Sequence, residues 1–292
     1  MPKQKKSPPS SVTISVPGTS ANLGPGFDSF GLALDLANRV TVSLKSPSSP
    51  LPAMVAATAK SFFLGSGLTP LPISWKIAGD VPQARGLGSS VTVRLGILMG
   101  LNSLTGTPLS RHGIFRLCAE LEGHPDNAAP AMFGGFTVAR AHHDPLRFAV
   151  SSSLRFVLLI PNFEVATPDA RKVMPKSIPV GESAANAADA AVIATAFATK
   201  RYALLKGAFG DRLHQPYRAN LVPFLGKVIE AGEEAGALGG WLSGSGSTIC
   251  CLAPDAKRAA AIAASMKRHA PKGSKTVIVA ADNKGAHAVR SL

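Results

Sequence analysis

Small polar residues alternate with valine and isoleucine over residues 11–16, and β-branched residues run through 40–44. A period of two predicts strands with one buried face, separated here by a glycine-rich stretch over 17–31. A Ser/Pro-rich bridge follows over 46–52. Helical spacing returns over 54–64, 73–77 reads as a strand, and 89–103 and 111–121 read as helices. Strands are predicted over 133–139 and 155–160, the second opening a new half of the chain. That half holds a long alanine-rich helix over 184–205, helices over 221–235 and 257–269, and strands over 249–253 and 276–280. Helices and strands mix without regular βαβ alternation, which predicts an α+β fold rather than a doubly wound sheet. No internal repeat is present.

The chain has 292 residues, 46% of them hydrophobic. That length favours two cores over one, with a disordered basic tail over 1–11, one domain over 12–152 and another over 153–292. No apolar run is long enough to span a bilayer, and the basic amino terminus is followed by no apolar leader, so a soluble cytoplasmic protein is expected. Cys118, Cys250 and Cys251 lack metal spacing; adjacent Cys250 and Cys251 would point to opposite faces of a strand, as buried thiols in a reducing compartment.

The formal charge is +14, and it is still +11 without Lys3, Lys5 and Lys6 of the expected tail. Such a field favours anionic ligands. Nucleic acid fits poorly, because the basic residues are scattered and only two tryptophans and two tyrosines are available for stacking. A nucleotide or another small anion fits better.

The chemistry concentrates in glycine-rich segments. Pro82, Gln83, Ala84, Arg85, Gly86, Leu87, Gly88, Ser89 and Ser90 run straight into an apolar helical pattern, so backbone amides at the helix start can hold phosphate. A plain glycine turn with a serine cap would explain that loop in isolation. Neither GxxxxGK[ST] nor GxGxxG accompanies it, and HExxH and GxSxG are absent. Two further segments change the balance: Pro17-Gly-Thr-Ser-Ala-Asn-Leu-Gly-Pro-Gly-Phe-Asp28, and Gly239-Gly-Trp-Leu-Ser-Gly-Ser-Gly-Ser-Thr248.

The trio resembles the signature motifs of the GHMP kinases, over nearly the whole chain from Thr13 to about Ala281. Within that superfamily it is most similar to the homoserine kinases, through residues 20–28 and Glu122-Gly-His-Pro-Asp-Asn-Ala-Ala-Pro130. Thr167-Pro-Asp-Ala-Arg171 and His214-Gln-Pro-Tyr-Arg218 agree with it. The resemblance implies a two-domain fold, with a ribosomal S5 domain 2-like first domain and a ferredoxin-like second one. It also implies ATP-dependent phosphorylation of L-homoserine in threonine biosynthesis, with ATP and Mg²⁺ as cofactors.

Residue by residue, the resemblance implies that Asn22, Asp28, His124 and Asp126 line the amino-acid pocket and that Arg171 and Arg218 meet the substrate carboxylate, where a guanidinium binds bidentately. It puts residues 82–90 around the phosphates, with Ser90 and Glu122 as Mg²⁺ ligands. Asn127 would orient the hydroxyl and Thr167 would reach the γ-phosphate. Gly244, Ser245 and Gly246 would form a flexible supporting loop. No general base is assigned, because phosphoryl transfer needs alignment and charge neutralisation above all.

Taken singly these residues have plainer explanations: Asn22, Asp28 and His124 as turn formers, Glu122 as a helix-end charge, the arginines as surface charge. His142 and His143 have no third ligand, and Met99, Phe133 and Trp241 read as core. Val91 and Thr92 stand where the family has small residues, Ser247 where it has proline, and Ala128 where it has valine. None of these removes a ligand. A related kinase for mevalonate or shikimate is the enzyme alternative, and a basic RNA-binding module the alternative of another class. Dimers are common in the resembled family, but no unsatisfied apolar stripe in the sequence points to one.

Overall fold

The computed structural model describes residues 10–289, and residues 1–9 of the expected basic tail lie outside that range. Two long strands, β1 (Ser11–Ala21) and β2 (Phe30–Ser43), pair antiparallel from Ser11↔Ser43 to Ala21↔Gly31, with a register shift between Pro17 and Thr19. After α1 (Ala53–Ser66), β3 (Ser74–Gly79) pairs with β2. Three helices follow, α2 (Ser89–Leu104), α3 (Arg111–Glu122) and α4 (Ala128–Phe133), then the short strands β4 (Phe136–Val138) and β5 (Leu146–Phe148). The second half contains β6 (Arg155–Ile160), α5 (Thr167–Lys172) and α6 (Val180–Thr199), then a 3₁₀ turn at Tyr202–Leu205. It continues through α7 (Gln215–Arg218), α8 (Leu225–Glu234), β7 (Gly240–Leu242), β8 (Ile249–Ala253), α9 (Ala256–Arg268), β9 (Lys275–Val279) and β10 (His287–Ala288).

The first sheet runs β10-β1-β2-β4-β5 with β3 also on β2, and the second runs β7-β8-β6-β9. Three apolar layers follow from strand alternation. Val40 and Val42 face α1 to α4; Phe30, Leu32 and Leu34 face a middle core shared with Phe156, Leu158 and α6; Val157 and Leu159 face α8 and α9. Cys250 joins the middle core and Cys251 the outer one, on opposite faces of β8 as the sequence predicts. All three cysteines are buried free thiols. Trp241 is fully buried, whereas Met99 and Phe133 are only partly so.

Several boundaries move. The glycine-rich stretch is strand at both ends, leaving only residues 22–29 as the turn, because Thr19 and Ser20 are buried polar positions that break the alternating pattern. The alanine-rich helix stops at Thr199, where Lys200 turns left-handed with φ 58°. Phe133 ends α4 instead of starting a strand, and Gly134 and Gly135, both at φ 74°, swing the chain into β4. The tail expected through residue 11 is already strand at Ser11. Likewise β10 pairs with β1, so the end of the described chain returns to the first sheet, although the expected second domain runs to 292.

Candidate active site

The loop between β3 and α2 ends on Gly88, the N-cap of α2, at φ 67° and with no side chain capping the helix. Ser89 and Ser90 lie inside the first turn, so the serine-cap explanation fails and the first amides stay bare, with the positive end of the helix dipole behind them. A Cβ on Gly88 would fall 2.1 Å from Thr19 Oγ1, and one on Gly86 2.0 Å from the Ser243 carbonyl oxygen. Both glycines are therefore required by close approach as well as by positive φ.

This loop is strapped to the rest of the molecule. Leu87 O accepts from Thr19 N at 3.1 Å and Arg85 O from Thr248 N at 3.2 Å. Trp241 Nε1 donates to Ser20 Oγ at 2.9 Å, Ser20 and Ser243 hydroxyls are 2.8 Å apart, and Ser243 Oγ donates to Gly86 O at 2.7 Å. Arg85 turns toward the second half, donating to Pro161 O at 3.2 Å and pairing with Glu164 at 3.1 Å.

Beside the helix start, Ser90 Oγ donates to Glu122 Oε2 at 2.8 Å. Glu122 closes α3, which Gly123 terminates at φ 81°. Arg94 Nε lies 2.7 Å from Glu122 Oε1, an ion contact without hydrogen-bond alignment; both atoms are buried, and neither has a hydrogen-bond partner among the described residues. A serine hydroxyl next to a carboxylate with an unsatisfied oxygen is a donor set for a hard divalent cation.

At the other end, Asn22 adopts φ 72°, donates to Gly244 O at 3.1 Å and accepts from Asp28 N at 3.0 Å. Asp28 is gripped by Arg171, and both Arg171 and Arg218 stand over the Phe27 ring, 5.7 and 5.4 Å from its centroid. Asp126 is only 2% exposed. Its Oδ1 pairs with His124 Nδ1 and accepts from Asn127 N at 2.8 Å and Asn127 Nδ2 at 3.3 Å, while Asn127 Oδ1 accepts from Thr19 Oγ1 at 2.7 Å. Burial opposes the charged form of His124, but the hydrogen bond and charge of Asp126, helped by Asp28 and opposed by Arg171, raise its pKa overall. Burial and then Arg171 lower that of Arg218, against the three acids Asp28, Asp211 and Asp126. The turn expected to be flexible is pinned: Gly244 N donates to Ala21 O at 3.1 Å, and Gly244 O accepts from both Asn22 and Arg218.

One cleft of about 540 Å³ gathers these groups, and every site residue expected from the sequence lines it except Pro82 and Gly246. Thr167 lines it from the start of α5. The sequence reading missed Phe27 and an apolar wall of Pro52, Met54, Val55, Trp75 and Val93. Those residues look like ordinary core in a sequence, and only their shared exposure to the cleft separates them from it. It also missed Thr19 and the imidazole of His214, although they fall in the Pro17–Asp28 and His214–Arg218 segments.

A family model for the GHMP kinases N terminal domain matches residues 53–135, and one for the GHMP kinases C terminal region matches residues 193–272. A homoserine kinase of Carboxydothermus hydrogenoformans is 36% identical over 262 residues, 84% of this chain and 86% of that protein. One of Thermus thermophilus is 36% identical over 281 residues, 90% and 94% of the two chains. The chain belongs to the homoserine kinase family of the GHMP kinases. A crystal structure of homoserine kinase from Cytophaga hutchinsonii superposes on it with a TM-score of 0.89 at 26% identity, covering 97% of this chain and 99% of that one. A mevalonate kinase structure, at 12% identity and a TM-score of 0.71, shares the fold alone. In this homoserine kinase family member, the first matched region carries the loop over residues 82–90 and Glu122 to Asn127. The second carries His214, Arg218 and the 244–246 turn, so the cleft draws on both.

Proposed function

We propose that the chain transfers the γ-phosphoryl group of ATP to the side-chain hydroxyl of L-homoserine, yielding O-phospho-L-homoserine for threonine biosynthesis. The polarity of the cleft carries this reading: bare helix amides at one end, and Asp28, Asp126, Arg171 and Arg218 at the other. A zwitterionic amino acid complements the second set, its ammonium against the carboxylates and its carboxylate against the guanidiniums. Mevalonate and shikimate carry no ammonium and would leave the two acids repelling a carboxylate.

In this reading the apolar wall around Met54 and Trp75 takes the adenine, and the loop amides with the α2 dipole take the phosphates. Ser90 and Glu122 would hold Mg²⁺. Their side-chain oxygens, 2.8 Å apart, offer the hydroxyl and carboxylate ligands that a hard divalent cation takes. The ion would neutralise charge on the transferring phosphoryl oxygens. Thr167 reaches toward that group. Asn127 lies between Asp126 and the Gly88 loop and steadies the substrate hydroxyl through its amide. No side chain is assigned as base, and the hydroxyl proton leaves late, to phosphate or solvent. Asp126 Oδ1 already faces three donors, so its role is electrostatic.

The test is ADP release with ATP and Mg²⁺ across L-homoserine, D-homoserine, L-serine, mevalonate and shikimate. Preference for L-homoserine, with Asp126→Asn raising its KM, supports the assignment. Turnover abolished in Asp126→Asn with homoserine affinity intact would make Asp126 a base, and preference for mevalonate would reject the substrate.

A further inference from the structure

His214 caps the start of α7 with its ring fully buried beneath Phe27, the two ring centroids 5.3 Å apart and the planes inclined by 27°. Its two nitrogens meet partners of fixed chemistry. Nε2 is 3.0 Å from the Gly24 carbonyl oxygen, which can only accept. Nδ1 is 3.2 Å from Nη1 of Arg218, and a guanidinium can only donate. Two independent partners therefore demand one state, a neutral ring with its proton on Nε2.

The charged groups around the ring agree. Asp211 Oδ2 lies 3.4 Å from Nε2, but that oxygen already accepts from the amides of His214 at 3.0 Å and Gln215 at 2.6 Å, and Oδ1 from Leu213 N at 2.9 Å. Its charge is spent on the turn that starts α7. Burial pushes the His214 pKa down to about 4; Arg218 adds to this, while Asp211, the Gly24 carbonyl and Asp28 oppose it.

Arg218 is held on its other sides by Nε to Ala170 O at 3.2 Å and Nη1 to Gly244 O at 2.9 Å, which leaves Nη2 for a ligand in the cleft. We infer that His214 is a positioning residue, whose neutral imidazole ties the first glycine-rich turn to Arg218 and aims that guanidinium at the amino-acid carboxylate. This rests on the proposed substrate only for the identity of what Arg218 meets.

Two near-isosteres separate the ring's two bonds. In His214→Asn the amide oxygen replaces Nδ1 and keeps the acceptor for Arg218; in His214→Gln the amide nitrogen replaces Nε2 and keeps only the donor to Gly24. Losing an acceptor for a charged donor predicts that His214→Gln raises the KM for L-homoserine by about tenfold or more, with the KM for ATP and kcat within about threefold of the parent. His214→Asn is expected to hold all three within about threefold, and His214→Gln added to Arg218→Ala to raise the KM little beyond Arg218→Ala alone. Equal losses in the two variants, or a parallel rise in the KM for ATP, would reduce His214 to a packing residue and overturn the inference. A second readout needs no turnover: the ¹⁵N imidazole resonances of His214, identified by their loss in His214→Asn. A proton on Nε2, with Nδ1 bare from pH 6 to 9 and shifting in Arg218→Ala, is expected. A doubly protonated ring at pH 7 would overturn it. Absence of L-homoserine turnover in the unaltered enzyme would reject the proposed reaction, while the resonances still decide the tautomer and its bond to Arg218.

Discussion

Arg171 holds Asp28 by two parallel hydrogen bonds, Nη1 to Oδ2 at 3.1 Å and Nη2 to Oδ1 at 2.9 Å, between residues 143 positions apart in the chain. The same two groups are assigned to opposite ends of the substrate. A zwitterion can exchange their one ion pair for two, its ammonium on Asp28 and its carboxylate on Arg171. An alcohol without the ammonium breaks the pair and repairs half of it.

Because the two side chains are 42% and 36% exposed, the pair is worth only about 0–1 kcal/mol to folding. Arg171→Ala and Asp28→Asn are expected to shift the melting temperature by no more than about 3 °C and to raise the KM for L-homoserine about tenfold or more. Melting curves and substrate titrations check both. A fall of melting temperature well beyond that, with KM unchanged, would make the pair a structural tie between the two halves.

Ser90→Ala and Glu122→Gln should differ in kind. Removing the Ser90 hydroxyl takes away one proposed cation ligand and should lower kcat roughly 10²-fold with little change in stability. Glu122→Gln also strips the charge beside Arg94, whose Nε is buried, and should cost about 1–3 kcal/mol of stability as well as activity. Activity measured against Mg²⁺ concentration, alongside urea unfolding, separates the two. Equal activity of Ser90→Ala at all Mg²⁺ concentrations would remove Ser90 from the proposed site.

Gly86 and Gly67 offer a matched pair. Both have positive φ, 72° and 70°, but a Cβ on Gly67 meets nothing within 4 Å, while one on Gly86 would strike the Ser243 carbonyl oxygen at 2.0 Å. Gly67→Ala should cost about 1–2 kcal/mol, from the left-handed conformation alone. Gly86→Ala should cost more and raise the KM for ATP, since the loop proposed to hold the phosphates must move off the third glycine-rich segment. Similar unfolding energies for the two variants would mean that the contact is soft.

The fully buried His214 and the partly buried His124 predict opposite pH slopes. His214 has its pKa lowered from 6.5 to about 4, so between those values the unfolded chain binds the extra proton. Stability is then lost as the pH falls from 6.5, by up to roughly 3 kcal/mol. His124 has its pKa raised, so its contribution is complete below pH 6.5 and is lost as the pH rises through the folded value. The stability advantage of the parent over His214→Asn should therefore narrow on the acid side, and that over His124→Asn on the alkaline side. A pH-independent difference in either case would refute that histidine's assignment.

Cys250 and Cys251 could be put on opposite faces of a strand from the sequence, because alternation along a strand is a local property of the backbone. Helices such as α2 and α9 were legible for the same reason. The elements that escaped, α4, α5, α7, β5, β7 and β10, have six residues or fewer and hold too few turns or alternations to carry a period. Pro168 and Pro216, at the first turns of α5 and α7, were local marks of helix starts that periodicity alone passed over.

Residue type carried the candidate site equally far. Glycines that admit a close backbone, carboxylates, guanidiniums and an amide announce phosphate and amino-acid chemistry wherever they stand in the chain. Their partners were not legible. That Arg171 meets Asp28, that Nε2 of His214 meets the Gly24 carbonyl, and that Trp75 faces a cleft while Trp241 is buried against Ser20 depend on contacts between segments up to 221 residues apart. Local sequence sets which bonds a side chain can make; packing of the two sheets and their helices sets which of those bonds form, because burial removes the water that would otherwise satisfy each group separately.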